Sequence, residues 1–308
     1  MNLRDLIPAW LKRILVNAYL GTWDYVALHS SDKTYMRLKF FSVFHRRLNL
    51  KNPQSYSEKL QWLKLYDRNP LYTKLVDKYA AKQYVTEKVG GEYVIPMIGK
   101  GVWDKFEDIP FESFPNQFVL KTTHDSGSVV VCTDKSQFDY AKAKTILEKS
   151  LKHDYYKATK EWPYKDVPRR IIAEKYMVDE SGYELKDYKW FCFDGEPKAL
   201  FIATDRGNPN EHTKFDFYDM DFNHLPCTNG LENATREVKK PKGFEEMKRL
   251  AGVLSQGLPH VRVDFYDING KVYFGEMTFY HWSGFMPFEP EEWDYKFGEW
   301  IKLPAKQS

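Results

Sequence analysis

Cysteine is scarce in this sequence: three residues in 308, Cys132, Cys192 and Cys227, odd in number, far apart and set in apolar or loop contexts. That excludes a disulfide framework or a metal knuckle and leaves buried thiols in a reducing compartment as the expectation. Missing too is any run approaching the ~20 apolar residues that a membrane-spanning helix needs. Charges at Arg4, Asp5, Lys12 and Arg13 interrupt the N-terminus where a signal peptide needs an unbroken apolar stretch. A cytoplasmic protein, at most peripheral on a membrane, is expected. Charge of one sign is also lacking: the formal net charge is +3 although 29% of residues are charged, which gives no global case for a nucleic-acid partner. There are no repeats and no low-complexity segments. Neither GxxxxGK[ST] nor GxGxxG occurs, so the two commonest glycine-rich phosphate loops are absent.

What the chain does have is apolar and aromatic material, 17% aromatic over a length that suits one large or two modest domains. Residues 3 to 19 place Leu3, Leu6, Ile7, Trp10, Leu11, Ile14, Leu15, Ala18 and Tyr19 at helical spacing. The favoured reading is a helix packed on its own domain. An interfacial helix is the other reading, with the cationic run Met36 to Leu48 favouring an anionic membrane surface. Helical patterning continues to about residue 88: Ser55 or Ser57 can cap an apolar face beginning at Leu60, Leu63 and Leu65, and Val76 to Val85 reads as a further helix. From Gly90-Gly91 the text changes to short β-branched runs, then to a helix over about 137–153 and a hairpin turning at Asp194-Gly195. A last helix, about 243–257, leads into a final hairpin. Blocks of helices and antiparallel strands predict α+β lobes around a cleft.

That final hairpin, HVRVDFYDINGKVYFGEMT from His260 to Thr278, poses a parity problem, because a one-residue slip in pairing sends a whole set of side chains to the other face. A two-residue turn on Asn269-Gly270 would put Asp264 opposite Gly275 and turn Glu276 away. A three-residue bulged loop, favoured by Asp267 and Gly270, pairs Asp267 with Lys271 and sets Arg262 opposite Glu276. Arg262, Asp264, Glu276 and Thr278 then share one wet face, and Val261, Val263, Phe265, Tyr273 and Met277 share the apolar one. The hairpin alone fits a solvated surface pair as well as a site.

Upstream, Phe118 to Cys132 sets Lys121 at the end of one strand, follows it with a polar loop, His124-Asp125-Ser126-Gly127-Ser128, and enters a second strand. Such a loop can cover phosphates with backbone N–H groups while the lysine supplies fixed charge. Ile171 to Met177 is an apolar strand ending in Glu174-Lys175-Tyr-Met177.

The order Asp77-Lys78, Lys121 with its loop, Glu174-Lys-Tyr-Met, Arg262-x-Asp264 and Glu276-x-Thr278 resembles the ATP-grasp superfamily. Ser57-Glu-Lys-Leu-Gln-Trp-Leu, Asp187-Tyr-Lys-Trp-Phe-Cys-Phe-Asp-Gly and Phe274-Gly-Glu-Met-Thr-Phe-Tyr are similar to its TupA-like branch, and the resemblance runs from about residue 50 to 300. It implies an α+β ATP-grasp fold: a helical N-terminal extension (1–55), an N-terminal lobe (56–118), a central nucleotide-binding lobe (119–185) and a C-terminal lobe with a metal-binding hairpin (186–308). It further implies ATP and Mg2+ as cofactors. Lys78 and Lys121 match the lysines on the phosphates, and His124 to Ser128 the phosphate cover. Glu174, Lys175 and Met177 match the hinge reading adenine, and Asp187 the ribose carboxylate. Lys189 and Lys214 are further phosphate or acyl phosphate candidates. Asp264 and Glu276 match the Mg2+ ligands, and Arg262 the arginine that neutralises the transferring phosphoryl group. Thr278 departs from the asparagine common in this family, so a second metal would be held through a hydroxyl or water.

ATP-grasp ligases turn a carboxylate into an acyl phosphate that an amine attacks, and the TupA-like branch is associated with bacterial surface polysaccharides. The implied reaction joins an amino acid or amine to a uronic acid of a capsule, O-antigen or related glycan or its precursor. A glycosyltransferase, a sugar kinase and a non-enzymatic scaffold stay open as alternatives. Specificity for the small-molecule or glycan substrate is expected in three aromatic loops, 155–164, 205–213 and 279–288, with Arg206 and His281 as the candidate carboxylate or amine contacts.

Overall fold

The computed structural model describes residues 9–179, 181–182, 184–206 and 211–306, with side chains of the first helix described from Ala18 onward. The N-terminal apolar stripe up to Leu15 therefore lies outside the described side chains. From Ala9 onward its backbone lies in α1 (Ala9–His29), which runs ten residues past the expected end, and α2 (Asp32–Phe44) follows, capped by Ser31. Of the described part of the stripe, Ala18 and Tyr19 are exposed; Trp23 and Val26 pack on the core instead. Among the described residues no helix is long and apolar enough to cross a membrane.

Helix α3 (Tyr56–Tyr66) starts where expected: Ser55 accepts from the Glu58 N–H while the Glu58 carboxylate returns to the Ser55 N–H, a reciprocal capping box. The segment read as one helix over 76–85 divides into α4 (Leu71–Val76) and α5 (Ala80–Val89). The break falls on Asp77-Lys78. The Asp77 carboxylate accepts from the Tyr79 N–H at 2.8 Å, and the Lys78 N–H leaves the helical ladder to donate to the Thr123 carbonyl.

Two antiparallel sheets follow. The first, in order β1-β4-β2-β3, contains β1 (Met97–Trp103), β2 (Phe118–Thr122), β3 (Val129–Cys132) and β4 (Ile171–Lys175). Helix α6 (Tyr140–Lys152) covers its back, and the short α7 (Tyr155–Thr159) leads out of it. Its own core includes Trp103, Phe114, Phe118, Leu120, Leu147 and Ile171. This core straddles the expected lobe boundary at 118/119, because β1 pairs with β4 from the far side of it.

The second sheet, in order β10-β9-β5-β6-β7, contains β5 (Asp187–Phe193), β6 (Glu196–Thr204), β7 (Lys214–Tyr218), β9 (Val261–Ile268) and β10 (Lys271–Thr278). The short β8 (Thr228–Asn229) pairs with β11 (Phe288–Glu289); α8 (Phe244–Ser255) and the C-terminal α9 (Glu292–Trp300) pack nearby. Edge strand β7 buries both of its phenylalanines, Phe215 and Phe217. One core joins α1–α5 to this sheet, so the N-terminal helices belong physically with the C-terminal strands.

Candidate functional site

The β9–β10 hairpin turns on two residues, Asn269 (φ 56°) and Gly270 (φ 93°), and Ile268 pairs with Lys271. The expected three-residue loop is not formed, since both central residues take the left-handed conformations that match strand twist. Parity is restored farther along. Gly275 bulges out of the ladder between Phe274↔Phe265 and Glu276↔Asp264, and the shift returns Glu276 and Thr278 to the face of Arg262 and Asp264. A side chain at Gly275 would meet the Asp264 carbonyl at 3.1 Å. Two expectations are corrected. Arg262 lies opposite Thr278 rather than Glu276, and Tyr273, ahead of the bulge, pairs with Tyr266 while Phe274 takes the apolar place.

This face is buried at Arg262 and Asp264 and wet only at Glu276 and Thr278. Asp264 is 1% exposed, its carboxylate held by Arg262 through Nε–Oδ1 and Nη2–Oδ2, both 2.7 Å, and by the Lys189 ammonium from the adjacent β5. Lys189 also lies 3.2 Å from Asp187, which pairs in turn with Arg206. Arg262 extends to Glu276 Oε1 (3.3 Å) and Thr278 Oγ1 (3.0 Å). Its Nη1 lies 2.7 Å from His281 Nδ1. A guanidinium only donates, so Nδ1 accepts and Nε2 carries the proton that reaches Asn229 Oδ1 at 3.0 Å. Burial and then the Arg262 charge hold His281 well below the ordinary imidazole range, which fixes it as a neutral acceptor that aims Arg262.

The first sheet faces this cluster with Lys121 and Glu174. The Glu174 carboxylate takes Lys121 Nζ at 2.7 Å and Lys82 Nζ at 2.6 Å. Burial would raise its pKa, but the two lysines outweigh it and hold it at about 2. Reciprocally, burial works against the charge on Lys121, and Glu174 together with Glu276 and Asp187 more than restores it. Lys78, whose pKa burial lowers, reaches across to donate to the Asp125 carbonyl. Within the loop, the Asp125 carboxylate is bonded by Thr122, Ser128 and Ser150, which ties the loop base to α6 and leaves Ser126 and Gly127 exposed at its tip.

Between the sheets lies a cavity of about 440 Å3, lined on one side by Lys78, Lys121, Ser126, Gly127 and Glu174, on the other by Asp187, Lys189, Arg206, Tyr266 and Glu276, and at its end by Tyr176 to Val178. Val129 and Val131, apolar yet about half exposed, form one wall. A second cavity, about 380 Å3, shares Ser126, Lys189, Arg206 and Glu276 with the first and continues past Arg262, Thr278 and His281 to Tyr155, Glu161, Tyr164 and Trp282.

Most of the expected residues thus converge, and a few do not. Lys175 turns to the opposite face of β4, beside Pro96. Lys214 stands on the far edge strand, paired with Glu232, and lines neither cavity. His124 is buried against α6, within 3.3 Å of the carbonyls of Ser150 and His153. Part of the expected 205–213 loop lies outside the described residues. Sequence reading missed Lys82, four residues beyond Lys78, and Tyr266, two residues beyond Asp264 on the same strand face, and it did not single out Glu161 within the expected 155–164 loop.

A family model described as TupA-like ATPgrasp matches residues 58–302. No curated protein matches the sequence. Among solved structures, the chain is similar to a D-alanine–D-alanine ligase from Bacillus anthracis complexed with ATP (15% identity, 66% of this chain and 53% of that one, TM-score 0.38). It is also similar to the ATP-grasp ligase PsnB complexed with minimal precursor, Mg and ADP (11% identity, 72% and 57%, TM-score 0.39) and to a D-alanine–D-alanine ligase from Helicobacter pylori (13% identity, 81% and 70%, TM-score 0.42). The chain spans 53% and 57% of the first two.

Proposed function

Because the chain belongs to the TupA-like ATP-grasp family, we propose that it is an ATP- and Mg2+-dependent carboxylate–amine ligase working through an acyl phosphate. Its product is an amide between an amino acid or other amine and a uronic acid of a bacterial surface polysaccharide or its precursor. The observation that carries this reading is the pair of cavities joined at Lys189, Arg206 and Glu276, one walled by lysines and a glycine loop, the other by aromatic rings.

In this reading the first cavity takes ATP. Val129 and Val131 offer an apolar wall for the purine, and the backbone of Tyr176 to Val178 lies where its polar edge would be read. Lys78 and Lys121 supply charge to the phosphates, under the Ser126-Gly127 tip. Glu174, itself clamped by Lys82, holds Lys121 in place and charged. Among the described residues no group of three or more His, Cys, Asp or Glu is arranged to hold a metal. Two opposed carboxylates, Asp264 and Glu276, nonetheless suit Mg2+, which commonly binds through one or two carboxylates and completes its shell with phosphate and water. Glu276 is the freer donor; Asp264 is shared with Arg262 and Lys189. When bound there, Mg2+ supplies charge neutralisation for the transferring phosphoryl group. Lys189 at the junction and Arg262 beside it in the second cavity bind the acid's carboxylate and stabilise the charge that develops as it attacks the γ-phosphorus.

Exposed Leu20, Tyr25, Leu28, Leu38 and Phe41 on α1 and α2 support peripheral contact of the enzyme with the membrane on which its glycan substrate is built. The reaction itself is tested with ATP, Mg2+, pooled uronic acids and pooled amino acids. ADP, inorganic phosphate and an amide product are expected. Phosphorylated sugar without amide, or release of a nucleoside diphosphate from a nucleotide sugar, would replace the ligase by a transferase.

A further inference from the structure

The second cavity contains a carboxylate that the reading above does not use. Glu161 is 3% exposed, lies between α7 and β4, and lines the second cavity but not the first. The cationic lining residues Lys189, Arg206 and Arg262 gather where the two cavities join or border. Apart from Glu276, which faces both cavities, Glu161 is the only carboxylate among the described lining residues of the second.

The opposite wall is built under strain. Trp282 (φ 48°) and Ser283 (φ 56°) are consecutive non-glycine residues in the left-handed region, followed by Gly284 (φ 68°). Such backbone persists only where its surroundings over-determine it. Here α3 does so: the buried Lys64 ammonium donates to the Ser283 carbonyl (2.7 Å) and hydroxyl (3.0 Å), and Gln61 Nε2 donates to the carbonyls of Ser283 (3.0 Å) and Gly284 (2.9 Å). The strained segment presents the Trp282 indole, 43% exposed, at the cavity and sets Ser283 next to Glu161. Gln61 of the α3 motif and Lys64 just beyond it thereby act on the second cavity without lining it.

We propose that the second cavity is the amine chamber of the ligase, with Glu161 binding the incoming ammonium and accepting its proton, and Gln61 and Lys64 as positioning residues for the chamber wall. This rests on the carboxylate–amine reading of the joined site. An acyl phosphate formed at Arg262 and Lys189 would be open to attack from the side of the second cavity. There R–NH3+ gives one proton to the Glu161 carboxylate. The freed lone pair forms the C–N bond at the acyl carbon, and the C–O bond breaks with its electron pair leaving on phosphate. The second nitrogen proton departs to phosphate or water, giving amide and inorganic phosphate, and Glu161 returns its proton to solvent.

Burial pushes the Glu161 carboxyl up to about 7, with Lys64 opposing, so its basicity suits proton acceptance near neutrality. The groups whose charge it feels or alters are Lys64 from α3, Tyr35 from α2, Tyr155 from α7, Tyr164, Arg262 from β9 and Tyr280.

Hydroxylamine separates the two halves of the reaction, since it is largely neutral at pH 7 and attacks acyl phosphates without ammonium recognition. Wild type and Glu161→Gln are each incubated with ATP, Mg2+ and pooled uronic acids, plus either hydroxylamine or pooled amino acids; hydroxamate and amide are measured. The variant is expected to form hydroxamate near the wild-type rate and to lose amide formation by on the order of 100-fold or more. Should Glu161→Gln unfold, the double variant Glu161→Gln/Lys64→Met, which removes both buried charges, is read the same way. Parallel loss of hydroxamate and amide, retention of both, or a wild type that forms hydroxamate but no amide would each overturn the amine chamber. A wild type that forms neither product removes the ligase reading itself, and this inference with it.

Discussion

Glu276 stands directly across the β9–β10 ladder from Asp264 because Gly275 bulges out between that pair and Phe274↔Phe265. Without the bulge, the two-residue turn would pair Asp264 with Gly275 and point Glu276 and Thr278 into the apolar layer with Val263. Gly275→Val, whose side chain would meet the Asp264 carbonyl at 3.1 Å and so disfavour the bulge, is therefore expected to weaken ATP binding by calorimetry and to lower stability by about 1–3 kcal/mol. Unchanged nucleotide affinity in Gly275→Val, or loss of affinity on deletion of Gly275, which leaves Glu276 opposite Asp264, would show that the register is set elsewhere.

The two carboxylates respond differently to neutralisation. Glu276, with a side chain 38% exposed and a single 3.3 Å contact to Arg262, can become glutamine at little cost to stability. Asp264 sits under Arg262 and Lys189, and Asp264→Asn leaves two buried cations short of a counter-charge, which costs about 3–5 kcal/mol. Both variants should lose ATP turnover by orders of magnitude. Thermal melts of the ligand-free proteins should separate them, with Glu276→Gln near wild type and Asp264→Asn well below it. Equal melting temperatures would mean that the Asp264 cluster is solvated in solution.

This second expectation reverses what the hairpin sequence suggests, and the reversal shows where sequence reading ends. Alternation located the face, and the order of Lys78, Lys121, Glu174 and Glu276 located the cleft, because periodicity and motif order are local or linear properties. Burial of that face depends on β5 lying beside β9 with Lys189 against Asp264, a pairing between strands 75 residues apart that no local pattern encodes. Glu161 and Lys64 were illegible for the same reason, since each becomes functional only through contacts across more than 100 residues. Lys214 and Lys175 show the converse: each has a suitable side chain on a strand, but the far edge strand carries one away from both cavities and strand parity the other.

A pH measurement tests the lysine–carboxylate clamp of the first sheet. The Glu174 pKa is held at about 2, below the ordinary 4.5, so the unfolded chain binds more protons than the folded one between those values. Its contribution to stability is complete above about pH 4.5 and fades as pH falls toward 2, on the order of 3 kcal/mol in all. Urea denaturation of wild type and Glu174→Gln should therefore show a stability gap that narrows as pH falls from 5 to 2. A gap independent of pH would mean that Glu174 is not held charged by Lys82 and Lys121.

The last test concerns Lys64 and Glu161, whose burial lowers one pKa and raises the other, each to about 7. Lys64→Met removes the donor that holds the left-handed Ser283 carbonyl and also the cation opposing Glu161; Glu161→Gln removes the matching anion. Each single change leaves a buried charge without its partner, which makes each more damaging than removal of both. The double variant should therefore be less destabilised than the sum of the singles, with a coupling energy of about 1–3 kcal/mol in chemical denaturation. Additive losses would show that the two groups act independently, with Lys64 serving the strained backbone alone. In that case the Trp282 environment should change in Lys64→Met and stay unchanged in Glu161→Gln, which indole fluorescence, referenced to a Trp282→Phe control, would register.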